Sequence, residues 1–236
     1  MRVAVVSGAS SGIGAALCGE LRARGWHAVG LSRRPAPDAD EHEECDVADR
    51  EMVDAVAKRV LERHPRIDLL VNNAGIPVRG NYLDSEPERI EAVMQTNYLG
   101  SVWTLLAFLP GLGEGSTLVN VASVAGVVAV GPYSASKHAQ LAFSRSIAVE
   151  LAPRGISVTS VLPGFVETPG FPQDGRFPFP LSRLVVGPEL VARRTVDAVE
   201  HHRHEIFVPR WYRPAGWLQT LAPGLLMRRG RLGARE

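Results

Sequence analysis

The sequence predicts an α/β fold in which a doubly wound parallel sheet of about seven strands carries helices on both faces, within a single domain over residues 1–236. Short, β-branched apolar segments alternate with segments of helical length, as in sheets whose strands are buried on both faces. The 236 residues, 45% apolar and 22% charged, suit one large globular domain. A glycine-rich turn between the first strand and the first helix also favours this fold.

The N-terminal half of the chain begins this alternation. Apolar runs predict strands, and apolar residues at helical spacing predict helices. A third strand is predicted within the acidic, weakly patterned residues 38–47. The other elements are strand Val3–Ser7, a helix over about 13–24, strand Ala28–Ser32, a helix over 49–63 and strand Ile67–Val71.

The C-terminal half continues the same pattern. Its clearest helix, over about 133–152, has apolar residues at four-residue steps from Ala135 to Leu151 and ends near Pro153 and Gly155. The remaining elements are a mostly helical segment over 86–110, strand Thr117–Ala122, strand Ile156–Leu162, a helix over 188–202 and a last strand, Ile206–Val208.

Charge and cysteine content exclude several classes of protein. Lysine plus arginine number 26 and aspartate plus glutamate 25, so the net charge of +1 argues against a nucleic-acid partner. The two cysteines, Cys18 and Cys45, form neither a CxxC motif nor a metal-ligand cluster, so we predict no disulfide scaffold and no metal site. The first apolar run, Val3–Val6, is too short for a signal peptide. We therefore expect a cytoplasmic protein.

The turn after the first strand is suited to a dinucleotide. Its glycines allow a tight turn and a close approach of the backbone to a pyrophosphate, and the following helix N-terminus offers free N–H groups to that anion. The spacing is GxxxGxG and no Gly-Lys-Ser follows, which argues against a Walker phosphate loop. A glycine-rich turn without a ligand is the alternative. A Rossmann-type site predicts these cofactor contacts: Gly8, Ser10, Ser11, Gly12, Ile13 and Gly14.

The end of the second strand indicates which dinucleotide is bound. An acidic residue there would accept hydrogen bonds from a ribose 2′-hydroxyl, but the chain has Ser32, Arg33 and Arg34. A guanidinium suits a 2′-phosphate, so NADP(H) is favoured over NAD(H). Two solvated surface arginines are the alternative interpretation.

Tyr133 and Lys137 stand four residues apart on a predicted helix and therefore share one face. The chain has only two lysines, which makes this pair informative. A nearby ammonium stabilises a phenolate, so Tyr133 could exchange a proton with a substrate oxygen while hydride moves to or from the cofactor. A helix pair without a function is the alternative.

Together these motifs resemble the short-chain dehydrogenase/reductase family, in its compact single-domain branch. The resemblance extends from Val3 to about Thr168. Tyr133-Ser134-Ala135-Ser136-Lys137 resembles the family's Tyr-x-x-x-Lys signature, and Asn72-Asn73-Ala74-Gly75 resembles its Asn-Asn-Ala-Gly motif. Further family positions fall on Asp46 and Val47 near the adenine, Asn73, Ala74 and Gly75 beside the cofactor, and Pro163, Gly164, Val166 and Thr168 near the nicotinamide carboxamide.

The resemblance implies a role for each catalytic residue. Tyr133 is the general acid/base, and Lys137 lowers its pKa and holds the nicotinamide ribose. Ser123 hydrogen-bonds the substrate oxygen, and Asn97 holds a helix distortion and a water for proton relay. The alternatives have no catalytic role: Ser123 would be a hydroxyl at a strand end, and Asn97 a polar helix residue whose side chain is hydrogen-bonded by backbone.

One spacing departs from the family pattern. The family serine precedes the tyrosine by about thirteen positions, whereas Ser123 precedes Tyr133 by ten. The apolar segment Val124–Pro132 is thus about three residues short. It could still deliver the Ser123 hydroxyl, or it could reshape one pocket wall or misplace that hydroxyl.

Two C-terminal segments bear on substrate and partners. Phe165, Phe171, Phe177 and Phe179 predict an aromatic lid over an apolar substrate in a loop at about 165–185, with a packed surface loop as the alternative. The tail at about 210–236 combines apolar and basic residues, so it could lie on a membrane, on another subunit or at the pocket mouth. The resemblance implies a homodimer or homotetramer, with helices 86–110 and 133–152 at the interface.

The sequence therefore predicts an NADP(H)-dependent oxidoreductase that interconverts a carbonyl and an alcohol, with Tyr133 as acid/base and Lys137 assisting. Two alternatives stay open: NAD-linked alcohol oxidation on the same scaffold, and a non-catalytic protein that binds the dinucleotide as a redox sensor or scaffold. Two uncharged stretches, 92–113 and 115–136, are long enough to span a bilayer, but their polar residues and prolines favour buried strands and helices.

Overall fold

A computed structural model describes residues 1–78, 80–128, 131–170, 172 and 185–214 of the chain. Three residues of the predicted aromatic lid, Phe171, Phe177 and Phe179, lie outside the described residues. Most of the predicted tail, from residue 215 onward, lies outside them as well. The predicted strands and helices all fall within the described residues.

The described residues form one seven-stranded sheet in which every neighbouring pair of strands is parallel. The strand order is β3-β2-β1-β4-β5-β6-β7. Strands β2 and β3 are added on one side of β1, and β4 to β7 follow on its other side, so the order of the strands reverses between β1 and β4. This order confirms the predicted doubly wound parallel sheet. The strands are β1 Arg2–Ser7, β2 Trp26–Ser32, β3 Glu41–Glu44, β4 Leu69–Asn72, β5 Thr117–Val121, β6 Ser157–Pro163 and β7 Glu205–Val208.

Helices cover both faces of the sheet because its central strands present apolar side chains to both sides. On one face, α1 and α6 pack their apolar stripes, including Leu17 and Val196, against the strands. On the other face, α2, α4 and α5 bury residues such as Phe108 and Leu151. The helices are α1 Gly12–Ala23, α2 Arg50–Arg63, α3 Pro87–Met94, α4 Gly100–Phe108, α5 Gly131–Leu151 and α6 Pro188–Glu200. Within the described ranges, no helix has both the length and the apolar character needed to cross a membrane.

The two cysteines lie on opposite faces of the sheet. Cys18 belongs to the core beneath α1 and α6, and Cys45 belongs to the core beneath α2, α4 and α5. Both are reduced and buried. Burial raises the pKa of each thiol to about 12, and neighbouring carboxylates add to the rise. Both side chains therefore act as small apolar core residues.

The predicted helix over 86–110 is interrupted. A π-helical turn, Gln95–Leu99, separates α3 from α4. Buried Asn97 sits in this turn, and its side-chain amide bonds the backbone of Ile76 rather than its own helix. Apolar spacing carries no signal for this wider turn, because the turn serves a contact with a distant segment.

A cluster of His27, Glu41 and His64 joins β2, β3 and the end of α2. Glu41 Oε1 lies 2.7 Å from His27 Nε2 and 2.8 Å from His64 Nε2. Two ligands of a tetrahedral zinc ion lie about 3.3 Å apart, given metal–ligand bonds of about 2.0–2.1 Å. The shorter distances identify a hydrogen-bonded cluster, which ties the edge strand β3 to the rest of the sheet.

Replacing Glu41 with glutamine is expected to lower stability more at neutral pH than in acid. Burial alone would raise the pKa of Glu41, but hydrogen bonds from His27, His64 and Arg63 outweigh it and lower the pKa to about 2. The stabilisation is therefore present above about pH 4.5 and disappears as the pH falls toward 2. We expect Glu41→Gln to lower the free energy of unfolding by about 1–2 kcal/mol at pH 7.

Urea denaturation at pH 7 and pH 3 measures this difference, with the exposed Glu44→Gln on the same strand as the control. An equal loss at both pH values for Glu41→Gln would contradict the prediction.

Candidate active site

A cavity of about 640 Å³ opens at the carboxyl ends of the strands, where the strand order reverses between β1 and β4. Ligands of open α/β sheets bind at this kind of position. All but two of the predicted site residues line it. Those that do are Gly8, Ser10, Ser11, Gly12, Ile13, Ser32, Arg33, Arg34, Asp46, Val47, Asn73, Ala74, Gly75, Ser123, Tyr133, Lys137, Pro163, Gly164, Val166 and Thr168.

The loop after β1 is shaped for close approach to a ligand. Gly8 and Gly12 have φ angles of +70° and +58°, which favour glycine. A side chain on Gly8 would come within 2.8 Å of the Ala74 backbone, and one on Gly12 within 3.1 Å of the Thr168 methyl group. Helix α1 starts at Gly12 with no side-chain cap from Ser11 and no acidic residue in its first turn. This uncapped end faces the cavity and suits a pyrophosphate.

Asn73 connects this loop to the turn after β4. Its Nδ2 donates to Ser7 O at 2.9 Å, and Ser7 Oγ accepts from the backbone N–H groups of Asn73 and Ala74 at 3.0 and 3.1 Å. Gly14 does not line the cavity, because it packs against Gly8 and the Asn73 amide. The structure therefore places Gly14 as support for the loop rather than at the cavity surface.

The far end of the cavity is rimmed by arginines. Arg33 and Arg34 are exposed, and Arg33 Nη1 lies 3.5 Å from Asp46 Oδ2. Ser32 Oγ donates to Arg34 O at 2.7 Å, which fixes the turn after β2. This end combines two guanidinium groups with a serine in place of the carboxylate that would suit a free ribose 2′-hydroxyl.

Ser123 and Tyr133 meet at the opposite end of the cavity. Ser123 lies two residues after β5, at the start of the turn Val124–Gly126, and its Oγ accepts from the Ala125 N–H at 3.0 Å. Tyr133 is partly exposed and lines the cavity. Burial raises the pKa of Tyr133, while the nearby Ser123 side chain acts in the opposite direction and lowers the pKa. The ten-residue spacing therefore still brings the serine hydroxyl to the tyrosine.

Two contacts hold the short segment between them. Ser134 Oγ donates to Ala125 O at 2.6 Å, which draws the turn Val124–Gly126 onto the start of α5. Gly126 is buried against α5, where a side chain would come within 2.8 Å of Lys137 O. The loop can be short because this turn lies directly on the helix that carries Tyr133.

Lys137 lies beneath the tyrosine. Its Nζ is 6.0 Å from the centroid of the Tyr133 ring and donates to Val121 O at 3.0 Å and to Gln140 Oε1 at 2.8 Å. The residue is 4% exposed, and this burial lowers the pKa of Lys137 to about 7. The ammonium is thus held near the phenol without touching its oxygen among the described contacts.

Asn97 does not line the cavity. Its Oδ1 accepts from the Ile76 N–H at 2.8 Å, and its Nδ2 donates to Ile76 O at 3.1 Å and to Ser136 Oγ at 3.0 Å. The resemblance implies both a helix distortion and a relay water at this residue. The structure places Asn97 in the π-helical turn and uses its amide to hold the segment that forms one cavity wall.

Sequence reasoning missed several lining residues. The segment after β4 contributes Ile76, Pro77 and Val78, which extend the predicted Asn-Asn-Ala-Gly motif along the cavity. Their position after a strand end was the available signal. The start of the predicted tail also reaches this region: Tyr212 packs on Gly164, and its ring centroid lies 6.4 Å from that of Phe165. Phe165, named in the predicted aromatic lid, also lines the cavity, and the other missed lining residues are Leu31, Cys45, Gly80, Thr96, Val121, Ala122, Val124, Ala125, Val128 and Gly170.

The cavity residues all lie within the part of the chain that matches a known protein family. A family model described as short chain dehydrogenase matches residues 2–176. A Streptomyces virginiae protein, named provisionally as a ketoacyl reductase of the monensin polyketide synthase, is 40% identical over 189 residues, covering 71% of this chain and 72% of that protein.

Two solved structures are similar throughout. A short chain dehydrogenase/reductase from Burkholderia phymatum, in complex with NAD, is 25% identical with a TM-score of 0.84 and covers 95% of each chain. A short chain dehydrogenase from Burkholderia cenocepacia J2315, in complex with NADP, is 29% identical with a TM-score of 0.75, covering 84% of this chain and 90% of that chain. The similarity thus extends well beyond the short motifs.

Proposed function

This chain belongs to the short-chain dehydrogenase/reductase family, and on that premise we propose that it is an NADP(H)-dependent oxidoreductase that interconverts a carbonyl and an alcohol. One observation carries the proposal: the Tyr133 phenol, with Ser123 beside it and the Lys137 ammonium beneath it, faces the same cavity as a glycine loop suited to pyrophosphate. The end of the cavity at Tyr133 supplies acid–base chemistry, and the end at the glycine loop holds a dinucleotide.

The residues present fit a nicotinamide dinucleotide. The uncapped N-terminus of α1 suits the pyrophosphate, Asp46 and Val47 border the adenine end, and Lys137 lies where it could hold the nicotinamide ribose. When bound, the reduced nicotinamide supplies the hydride that reduces a carbonyl carbon.

The chain's own residues manage the oxygen and its proton. The hydroxyl groups of Ser123 and Tyr133 both donate to the carbonyl oxygen and hold it in place. As negative charge develops on that oxygen, Tyr133 gives up its phenolic proton to form the alcohol. The Lys137 ammonium stabilises the remaining phenolate, which lowers the pKa that burial has raised. In alcohol oxidation the same groups act in reverse, with the phenolate as the base.

The choice of NADP(H) depends on this chain's own residues, because the two similar structures hold NADP and NAD respectively. Arg33 and Arg34 line the cavity at the end of β2, and both are exposed enough to meet a phosphate. Ser32 offers a hydroxyl where a carboxylate would repel that phosphate. The 3.5 Å pair between Arg33 and Asp46 also keeps one guanidinium at the cavity rim.

The direct test is the initial rate of NADPH and NADH consumption against ketones, aldehydes and diketones of graded size. We expect turnover that prefers NADPH and favours apolar carbonyls. A preference for NADH would contradict the assignment to Arg33 and Arg34. Tight dinucleotide binding with no turnover, on carbonyls in one direction and alcohols in the other, would favour a non-catalytic sensor.

Replacing Arg33 and Arg34 together with alanine is expected to weaken NADPH binding by about 10²-fold and to leave NADH binding nearly unchanged. Each lost charge-assisted hydrogen bond to a phosphate is worth about 1.5–3 kcal/mol in isolation, and solvent exposure reduces that value here. Fluorescence titration of both cofactors measures the change. Arg145→Ala is the control, since exposed Arg145 pairs with Glu205 outside the cavity residues. An equal loss for NADH would contradict a role at the 2′-phosphate.

A further inference from the structure

A chain of three buried hydrogen bonds connects Lys137 to the π-helical turn. Lys137 Nζ donates to Gln140 Oε1 at 2.8 Å, Gln140 Nε2 donates to Ser101 Oγ at 2.9 Å, and Ser101 Oγ donates to Asn97 O at 3.1 Å. Gln140 is 0% exposed and Ser101 is 3% exposed. The chain therefore runs from the ammonium on α5, through the start of α4, to the turn that carries Asn97.

Gln140 is an unusual residue for its position. Burying an amide costs free energy unless both of its ends are hydrogen-bonded, and an apolar side chain could fill the same space. Both ends of Gln140 are bonded, one to a charged group and one to a hydroxyl. The bond to the ammonium is the stronger kind. The strongest hydrogen bond of the buried Gln140 side chain is therefore the one that it accepts from Lys137.

No opposite charge stabilises Lys137 within the described residues around it. Strands β5 and β6 and the segment 95–108 contain no charged residue. The charged residues of α3, which also packs against α5, are exposed: Glu88, Arg89 and Glu91. The nearby titratable group is Tyr133, 6.0 Å from Nζ to the ring centroid. The carbonyls of Val121 and Gln140 thus hold two ammonium donors, leaving the third for the cavity that Lys137 lines.

We infer that Gln140 and Ser101 form a positioning bridge that favours the protonated form of Lys137 and aims it at the cavity by fastening it to α4 and the turn at Asn97. The bridge positions the ammonium and does not conduct protons, because an amide that accepts at Oε1 and donates at Nε2 passes no proton without changing its bonding. This inference deepens the proposed function and rests on it for the role of Lys137 in catalysis, but its test needs neither cofactor nor substrate.

The test measures the pKa of Lys137 directly in the free protein. The chain contains only two lysines, so ε-¹³C-lysine labelling gives two side-chain signals in NMR, with exposed Lys58 as the internal control. Gln140→Leu removes the carbonyl acceptor, and the pKa of Lys137 should fall by about one pH unit, a tenfold change in its protonation constant. Gln140→Glu places a carboxylate at the same site, and the pKa should rise by at least as much.

Ser101→Ala tests the second link. It leaves Gln140 without its partner, so the pKa of Lys137 should fall, but by less than in Gln140→Leu. Ser144→Ala is the matched control: Ser144 is also buried, and its hydroxyl, on α5 rather than α4, bonds Asn120 and Ser160 and not the Gln140 amide. A pKa of Lys137 unmoved by both Gln140 variants, or moved equally by Ser101→Ala and Ser144→Ala, would overturn the bridge.

The two proposals fail in different ways. Opposite shifts in the Leu and Glu variants support the bridge even if no substrate is turned over. Where turnover is found, Gln140→Leu should lower kcat about tenfold, and Gln140→Glu should restore most of it. Turnover in wild type with no pKa response in either variant would overturn the bridge and leave the proposed function standing.

Discussion

Tyr133→Phe is expected to lower kcat for carbonyl reduction by about 10²–10⁴-fold, the usual contribution of a general acid or base. The variant loses one hydroxyl group, which is the proposed proton donor at the cavity surface. Phenylalanine fills the same space on α5, so the Ser123 turn and the helix should keep their positions. Cofactor affinity should therefore stay within about twofold, because uniform binding is not removed.

Stopped-flow or steady-state rates measure the loss, and fluorescence titration measures cofactor binding. Tyr98→Phe is the control, since Tyr98 lies in the π-helical turn with its ring 6.4 Å from that of Phe143 and does not line the cavity. If Tyr133→Phe kept wild-type turnover, the proton would have to come from another group and the proposed mechanism would be wrong. Retained cofactor binding with lost turnover would distinguish an enzyme from a sensor.

Lys137→Met is expected to produce the second large effect, a loss of about 10²-fold or more in kcat near neutral pH. Without the ammonium, only the Ser123 side chain is left to offset the burial that raises the pKa of Tyr133. In the direction of alcohol oxidation, where Tyr133 must be ionised, the rise of rate with pH should therefore move to higher pH. A profile that keeps its wild-type midpoint would contradict the proposed stabilisation of the phenolate.

The same variant makes a separate prediction about stability. Burial lowers the pKa of Lys137 to about 7, whereas the unfolded chain keeps the ordinary lysine value near 10.5. Between these pH values the unfolded chain binds a proton that the folded protein has released, so wild-type stability rises with pH. Between pH 7 and pH 10 the wild type should gain about 2–4 kcal/mol relative to Lys137→Met.

Urea denaturation of both proteins across this range measures the gain, and exposed Lys58→Met is the control. A stability difference that does not change with pH would contradict the lowered pKa.

The sequence predicted the sheet well because strands buried on both faces are mainly apolar. Val3–Ser7 and Thr117–Ala122 show this run, and the structure has strands at Arg2–Ser7 and Thr117–Val121. Strand β3 was harder, because it lies at the sheet edge and alternates between exposed and half-buried polar side chains. Its position depends on pairing with β2 and on Glu41 contacts with distant histidines, which local pattern does not contain.

The residues of the candidate site also fall into those that local sequence spacing predicts and those whose place depends on contacts with other segments of the chain. Tyr133 and Lys137 could be found because four-residue spacing places two side chains on one helix face. Gln140 could not be found, since its importance comes from Ser101, which is 39 residues away in sequence. The shortened segment after Ser123 left the serine position open at the sequence level, and the outcome depended on Ser134 and Gly126, whose contacts draw the turn onto α5.

The two thiols lie on opposite faces of the sheet, so their labelling rates report local opening of the two helix layers separately. Both thiols are buried, and burial raises the pKa of each to about 12, so we expect each to react slowly at neutral pH until its helix layer opens. Labelling kinetics therefore time the opening of each layer separately, once the other cysteine is replaced by alanine. Cys45 also borders the cavity, whereas Cys18 does not. A ligand in the cavity should therefore slow the labelling of Cys45 and leave the labelling rate of Cys18 unchanged.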